Sequence, residues 1–502
     1  MAKRKREAAA AALKTAEPEQ QQTTKRAKAV RPTPEEPDVV VQIVTGSYDR
    51  TLHGFTATIR GGKEGDKVDF ADTFLFDAHN SAVKCLALSH PSAPAPGQGQ
   101  RVMLATGGTD ERINVYNISA HPPKQSAEQD LISSLAPRPV AENPQNRELG
   151  TLLHHSSTIT KLSFPTRSKL LSSSEDSTIA ITRTRDWSLL SAIKVPIPKA
   201  YGRPSGDTAP MGGTPAGVND FAVHPSLKVM ISVSKGERSM RLWNLVTGKK
   251  AGVLNFGKDV LHEIGEAKYN MGEGRSVVWG TCDGEDEFAV GFDREVLVYG
   301  MDGTPKCRVM GSLKTKVHKV QYLQWNANKD SEKDGKKDSK KGDDVSFLAV
   351  STEDGRICFF STKSEDLNQP QDGEGKDGAK KTEHLPTAKL LGSVGGKDSG
   401  VTSRIKDFVV LAGTENVQQK HRVVVAGSSD GKVHVWKVER KCLVSGKGSI
   451  GKKLGSYETQ NRITCLTAFE MIPRPEGLDD EGEEEEEEVE SGEELDSEDG
   501  EK

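Results

Sequence analysis

AGSSDGKVHVW, residues 426–436, decides the fold. Small residues lead into Asp430-Gly431, and the chain then alternates up to Trp436, six positions after the acid. Asp can bond its own backbone two residues on, and Gly accepts unusual backbone angles, so the centre reads as a tight turn. In KVHVW, Val433 and Val435 share one face while Lys432, His434 and Trp436 share the other. A period of two predicts a half-buried strand. The stretch is therefore two antiparallel strands joined by a turn.

The same rule recurs along the chain, pairing Asp49 with Phe55, Asp110 with Tyr116, Asp176 with Thr182, Glu237 with Trp243, Asp293 with Tyr299 and Asp354 with Phe360. All but the third copy end in an aromatic. The acids advance by 61, 66, 61, 56, 61 and 76 residues. Further strands precede most copies: AVKCLALSHP (82–91), TITKLSFP (158–165), GVNDFAVHP (217–225), KVQYLQWN (319–326) and RIKDFVVLAG (404–413). Others follow, such as LLSAIKV (189–195) and GKKAGVLNF (248–256). About four strands per copy and seven copies predict an all-β, seven-bladed β-propeller, which limits exposed sheet edges by arranging short sheets radially.

The ends of the repeat region predict how the ring closes. The first copy has no strand before it, and RITCLTAFEMI (462–472) has no turn after it. That last segment is the expected missing strand of the first blade. The propeller then spans 38–473, between a basic tail over 1–37 and an acidic tail over 474–502. The repeat exceeds the usual ~40–45 residues, so the excess is assigned to polar loops at 119–150, 199–216, 327–344 and 364–386.

Charge is segregated behind a formal net of -4. Residues 476–502 hold 17 acids and one Lys, and residues 1–31 hold nine Lys+Arg and three Glu. Like-charge blocks of this kind repel themselves and stay solvated. Lys3, Arg4, Lys5, Arg6 and Lys25, Arg26, Lys28 form two basic clusters with the spacing of a bipartite nuclear import signal. Ser491 and Ser497 lie among acids and suit an acid-directed kinase, whose phosphate would add negative charge. No apolar run approaches the ~20 residues of a membrane span, and the N-terminal segment lacks the apolar core of a secretory signal. Glu7, Glu17 and Glu19 argue against a mitochondrial presequence. The six cysteines, 85, 282, 307, 358, 442 and 465, contain no C-x-x-C pair and read as reduced, mostly buried thiols.

Chemistry is weakly signalled. GSSDG (427–431) fits the G-x-S-x-G nucleophile elbow, but that motif needs a strand-to-helix turn, and KVHVW is a strand. No H-E-x-x-H or Walker motif occurs, no complete dinucleotide fingerprint follows a strand, and the 12 His lack paired metal-ligand spacing. No catalytic, cofactor or metal site is expected.

The strand ends TrpAsn, TrpLys, TyrAsn and PheSer make the copies resemble degenerate WD repeats. In such repeats a turn Asp, a His, a Ser/Thr and a strand-end aromatic form a hydrogen-bonded set. Asp110, His79, Thr106 and Tyr116 match it in blade 2, and His154 or His155 matches the His of blade 3. QIVTGSYDRTLHGF (42–55), VMISVSKGERSMRLWNLVTGKKAGVLNFGK (229–258), FAVGFDREVLVYGMDGT (288–304) and TSRIKDF (402–408) resemble the p21-activated-kinase-interacting protein family, which includes the fungal maintenance-of-killer factor of large-subunit ribosome assembly. The departures are Glu237 for Asp, expected to loosen the blade 4 turn, and Thr182 for an aromatic. The resemblance implies a nuclear and nucleolar, non-enzymatic scaffold aiding large-subunit assembly and ribosomal RNA processing. Its partners would be pre-ribosomal proteins, including a ribosomal-protein-like assembly factor, with RNA contact weak or indirect, no membrane contact and a monomeric state. The same family implies an alternative, a negative regulator binding a p21-activated kinase. A ubiquitin-ligase adaptor ranks last because W-D-x-R is missing from all seven strand ends. Which face of the ring binds is not written in one sequence.

Overall fold

Each turn-and-strand repeat becomes the middle of a small antiparallel sheet. The computed structural model describes residues 38–475 except 62–65, 124–138, 198–215, 267–271, 311–314, 326–344, 370–383, 412–420 and 446–449. Among the described residues, 28 strands form seven four-stranded sheets. Blade 1 takes β1 (Val39–Ser47), β2 (Thr51–Arg60) and β3 (Lys67–Asp77) from the start of the chain and β28 (Ile463–Glu470) from its end. Blade 2 is β4 (Val83–Leu88), β5 (Arg101–Gly108), β6 (Ile113–Ser119) and β7 (Arg147–Leu152). Blade 3 is β8 (Ile159–Thr166), β9 (Lys169–Ser174), β10 (Thr178–Arg183) and β11 (Leu189–Lys194). Blade 4 is β12 (Val218–Val223), β13 (Val229–Ser234), β14 (Ser239–Asn244) and β15 (Lys249–Asn255). Blade 5 is β16 (Ser276–Cys282), β17 (Glu285–Gly291), β18 (Val296–Gly300) and β19 (Pro305–Arg308). Blade 6 is β20 (Val317–Trp325), β21 (Val345–Thr352), β22 (Arg356–Ser361) and β23 (Lys389–Gly395). Blade 7 is β24 (Ile405–Leu411), β25 (His421–Ser428), β26 (Lys432–Glu439) and β27 (Gly451–Glu458).

The ring closes through β28, as the repeat pattern predicts. It pairs antiparallel with β1, setting Val41 opposite Glu470 and Ser47 opposite Ile463. The innermost strands touch in an unbroken circle, β28, β4, β8, β12, β16, β20, β24 and back to β28.

The core lies between blades. The buried apolar residues fall into seven clusters among the described residues, one per seam between neighbours. This corrects the half-buried reading of KVHVW. Val433, His434, Val435 and Trp436 are all buried, because a blade's two faces are each covered by another blade. All but one of the six cysteines are buried, and Cys442 is half-buried. Burial pushes the thiols of Cys307, Cys358 and Cys465 up to about 12 and leaves them as small apolar side chains.

Two of the expected loops are partly built into the fold. The 119–150 segment ends in β7, and its Pro139–Ala141 stretch bonds both backbone groups of Asp72 on β3. In 364–386, Leu385 N–H donates to Glu263, and Asn368 exchanges both backbone bonds with Thr387. Buried backbone groups must find partners, and these segments supply them. Outside the described residues lie the basic clusters, Ser491, Ser497, the 327–344 segment and nearly all of 199–216.

The ends flanking 327–344 fix a prediction. Trp325 and Val345 are directly paired across β20 and β21, so a hairpin turn can join them. Loop closure entropy changes slowly with length. Replacing 327–344 with a short Gly/Ser link is expected to leave stability within about 1–2 kcal/mol, read by denaturant melts. A variant that fails to fold would make the segment structural.

Candidate docking face

Strands run alternately up and down, so the second-to-third turns and the links into each inner strand gather at one end of the ring. The backbone ties them there by one repeated bond. Tyr48 N–H donates to Arg462 O (2.8 Å), Thr109 to Ala82 (3.0 Å), Glu175 to Thr158 (2.9 Å), Lys235 to Gly217 (2.9 Å), Glu353 to Lys316 (2.9 Å) and Ser429 to Arg404 (3.0 Å). β1 begins and β28 ends at the opposite end, where Met471 N–H donates to Val40 O at 2.8 Å.

The turn acids Asp49, Asp110, Asp176, Glu237, Asp293, Asp354 and Asp430 all sit on this turn face. In blade 2, His79 Nδ1 donates to Asp110 Oδ1 at 3.0 Å, and its Nε2 meets Thr106 Oγ1 at 2.8 Å. In blade 3 the partner is His155, whose Nδ1 donates to Asp176 at 3.1 Å and whose Nε2 meets Ser172 Oγ at 2.8 Å. Burial works to raise the Asp176 pKa, but bonds from His155, Thr178 and Ser156 outweigh it and hold the carboxyl well below its ordinary range. Ser428 and Thr352 hydroxyls bond Asp430 and Asp354.

In blades 1, 2, 3, 6 and 7 the left-handed backbone falls on the residue after the acid rather than on the acid. Gly431 (φ 85°) and Gly355 (φ 81°) take it freely, whereas Arg50, Glu111 and Ser177 take it as non-glycine residues. Blade 4 differs. Gly236 (φ 69°) precedes the acid, and Glu237 turns back to form a buried two-pronged ion pair with Arg241 on β14. The extra methylene was expected to loosen this turn, but it supplies the reach for that pair.

The strand-end aromatics Phe55, Tyr116, Trp243, Tyr299, Phe360 and Trp436 are buried, as is Thr182. Only some act in polar sets. Trp243 Nε1 donates to Ser232 Oγ at 2.8 Å. Trp436 Nε1 meets no partner among the described residues, because Ala426 stands where Ser232 stands in blade 4. Tyr116 does not join the His79 set. Its ring packs 5.5 Å from Phe76 and lines a groove of about 300 Å³ between blades 1 and 2 with Leu52, Phe74 and Leu104.

Two polar staples at the central channel were not read from sequence. Asp220 receives Lys161 Nζ from the preceding blade at 2.8 Å and Val277 N–H from the following blade at 3.0 Å. Asp407 repeats this with Lys319 (2.5 Å) and Leu466 N–H (2.9 Å). The shared V-N-D-F (218–221) and I-K-D-F (405–408) strings carry the signal.

Buried histidines make the ring acid-sensitive. Burial first, then nearby lysines and arginines, hold His318 at about 4; burial and Lys453 do the same to His434. Burial also lowers His79 against the pull of Asp110. The unfolded chain protonates its histidines near 6.5, so between about 6.5 and 4 it binds more protons than the folded chain, and stability falls as pH falls. Asp176, depressed in the fold, adds a further loss below its unfolded value near pH 4. For buried His434 the cost is on the order of 3 kcal/mol. Neither of its ring nitrogens meets a hydrogen-bond partner among the described residues. His434→Leu should therefore flatten the acid limb of denaturant melts run at neutral pH and near pH 4.5; an unchanged slope would contradict the assignment.

GSSDG (427–431) occupies the hairpin turn between β25 and β26, with Ser429 N–H on Arg404 O and no helix following. That is not the strand-to-helix elbow a serine nucleophile needs. What the face offers is hydrogen-bonded turns, charged rims and a channel mouth.

The WD domain, G-beta repeat model matches residues 146–182, which hold β7 with β8, β9 and β10. The repeat thus joins the outer strand of one blade to three strands of the next. Protein MAK11 of Saccharomyces cerevisiae is 27% identical over 447 residues, covering 85% of this chain and 82% of that protein. The chain is a WD40 protein related to it over most of its length. The p21-activated protein kinase-interacting protein 1-like proteins of Gallus gallus and Danio rerio are 22% and 23% identical over 429 residues, each covering 86% of this chain and 80% of theirs. WD40 propellers of this kind are typically non-catalytic scaffolds for protein binding.

Proposed function

We propose that this WD40 protein is a non-enzymatic scaffold of large ribosomal subunit assembly, binding and positioning a partner protein of the precursor particle and then releasing it. The observation that carries the reading is similarity to Protein MAK11, 27% identical over 85% of this chain, joined to the assembly role implied by the family resemblance. The basic clusters at Lys3–Arg6 and Lys25–Lys28 support nuclear import, and with it a nucleolar location. The polyanionic tail would hold basic partners of the particle by attraction that salt weakens. Residues 32–475, between the two charged blocks, carry a net charge of +6. That is too modest for tight RNA binding, so contacts are assigned mainly to protein.

Depletion of the protein is expected to lower free large subunits relative to small ones and to accumulate large-subunit RNA precursors. The second reading, restraint of a p21-activated kinase, rests on the names of the vertebrate relatives. A normal subunit ratio after depletion, with such a kinase recovered as the main partner, would favour it instead.

A further inference from the structure

We propose that the mouth of the central channel on the turn face is a docking site for an extended acidic segment of a partner protein. This is independent of the ribosomal reading, since it names the chemistry of the ligand and is tested on purified protein.

The inner strands of blades 2, 6 and 7 begin with Val83-Lys84, Val317-His318 and Ile405-Lys406, and a register shift follows or spans the second residue in each. These bulges bring Lys84, His318 and Lys406 to the same end of the channel. The links just before the inner strands add Arg275, Lys316, Arg404 and Arg462. Lys84, Lys316, Lys406 and Arg462 make no side-chain ion pair among the described residues. Arg462 lies over the Tyr48 ring, 5.6 Å from its centroid.

These cations act on one another. Burial, then Arg404, Lys84 and Arg462, lowers the Lys406 ammonium below its ordinary value, and Glu353 opposes them only in part. Lys406, Arg404, Lys316 and Arg275 bear in the same way on His318, whose buried Nε2 meets no partner among the described residues. Blades 5, 6, 7, 1 and 2 therefore place mutually repelling cations around the channel mouth, at a cost in stability. An anion seated there would relieve it.

The rim favours spaced carboxylates over a nucleic-acid strand. Arg275 already pairs with Asp293 (2.7 Å), Arg404 with Glu353 (4.0 Å) and Arg356 with Asp354 (3.6 Å). These acids interrupt any track for a continuous phosphate backbone. The exposed aromatic beside the mouth, Tyr48, has Arg462 over one face of its ring, which leaves at most the other face for a base to stack on. Side-chain carboxylates on an extended peptide can instead reach individual Arg and Lys groups, with forked bonds to the arginines. β28 ends on the opposite face, beside the start of β1, and the segment is assigned to another protein.

The test is fluorescence anisotropy of a labelled poly-glutamate peptide with the full-length chain, alongside thermal melts. The Arg404→Ala/Lys406→Ala variant is expected to bind at least about tenfold more weakly and to melt higher, because like charges are removed from a crowded site. Lys84→Ala, at an exposed position, should show the same direction should the double variant fail to fold. Lys3→Ala, Arg4→Ala, Lys5→Ala and Arg6→Ala together control for attraction to the basic N-terminal segment and should change affinity less than about twofold, since the proposal seats the peptide at the mouth. Repeating the titration on the chain cut after residue 475 separates a partner's segment from occupancy by the chain's own acidic residues 476–502. Sharply stronger peptide binding by the cut chain would overturn the assignment to another protein. Unchanged peptide affinity in the mouth variants would overturn the proposal. So would oligouridylate binding more tightly than the peptide and losing that affinity in the same variants.

Discussion

Truncation after Asn461 is expected to cost the protein its soluble fold. The cut removes β28, whose Ile463, Cys465, Leu466 and Ala468 are 1%, 4%, 2% and 7% exposed. It leaves Val41 through Ser47 of β1 paired only with β2, their inner edge open beside exposed apolar surface. It also strips the bond from Thr464 Oγ1 to Val83 O at 2.6 Å and the Leu466 amide from the Asp407 staple. Burying a large apolar side chain is worth about 1.5–3 kcal/mol. Several such losses, with broken backbone pairing, approach the whole stability of a typical domain, roughly 5–15 kcal/mol. Soluble yield and thermal melting check this. A soluble truncation with an unchanged melting temperature would refute closure by β28.

The second large effect is expected at Glu287, on β17 between blades 5 and 6. The carboxylate is 3% exposed. It receives Thr362 Oγ1–H at 2.6 Å, Lys306 Nζ at 2.8 Å and Tyr322 O–H at 2.9 Å. Tyr322 lies so close to Gly280 that a Cβ there would sit 2.3 Å from the ring, so the hydroxyl's position depends on a residue with no side chain. Glu287→Ala leaves the Lys306 charge and two hydroxyls without their acceptor. Breaking one side of a buried pair typically costs about 3–5 kcal/mol. Glu287→Gln keeps the size and some hydrogen bonds and should lose less. Denaturant midpoints of the two variants decide it. Equal and negligible shifts would mean that the seam is held by its apolar cluster alone.

The hairpins were legible because their signals are local. Asp430-Gly431 and the alternation that follows sit within one stretch, and the unpaired ends of the repeat announced the role of 462–472. Burial on both faces of β26 was not legible, because alternation assumes one solvated face, whereas in a ring another blade covers it. The staples at Asp220 and Asp407 join residues 57 and 59 positions apart, and Glu287 meets Thr362 across 75. No local pattern announces such partners. Glu237 shows the same limit, since its reach to Arg241 depends on a turn in which Gly236, before the acid, takes the left-handed backbone. The channel-mouth cations are likewise scattered from Lys84 to Arg462 and meet only when blades 7, 1 and 2 close the circle.

The scaffold reading is tested most directly by sedimenting a tagged full-length chain from cell extracts through a density gradient. It should migrate with early large-subunit precursor particles, together with their RNA precursors, and be missing from mature ribosomes. Recovery of the chain only in light fractions bound to a p21-activated kinase, with none on precursor particles, would contradict it.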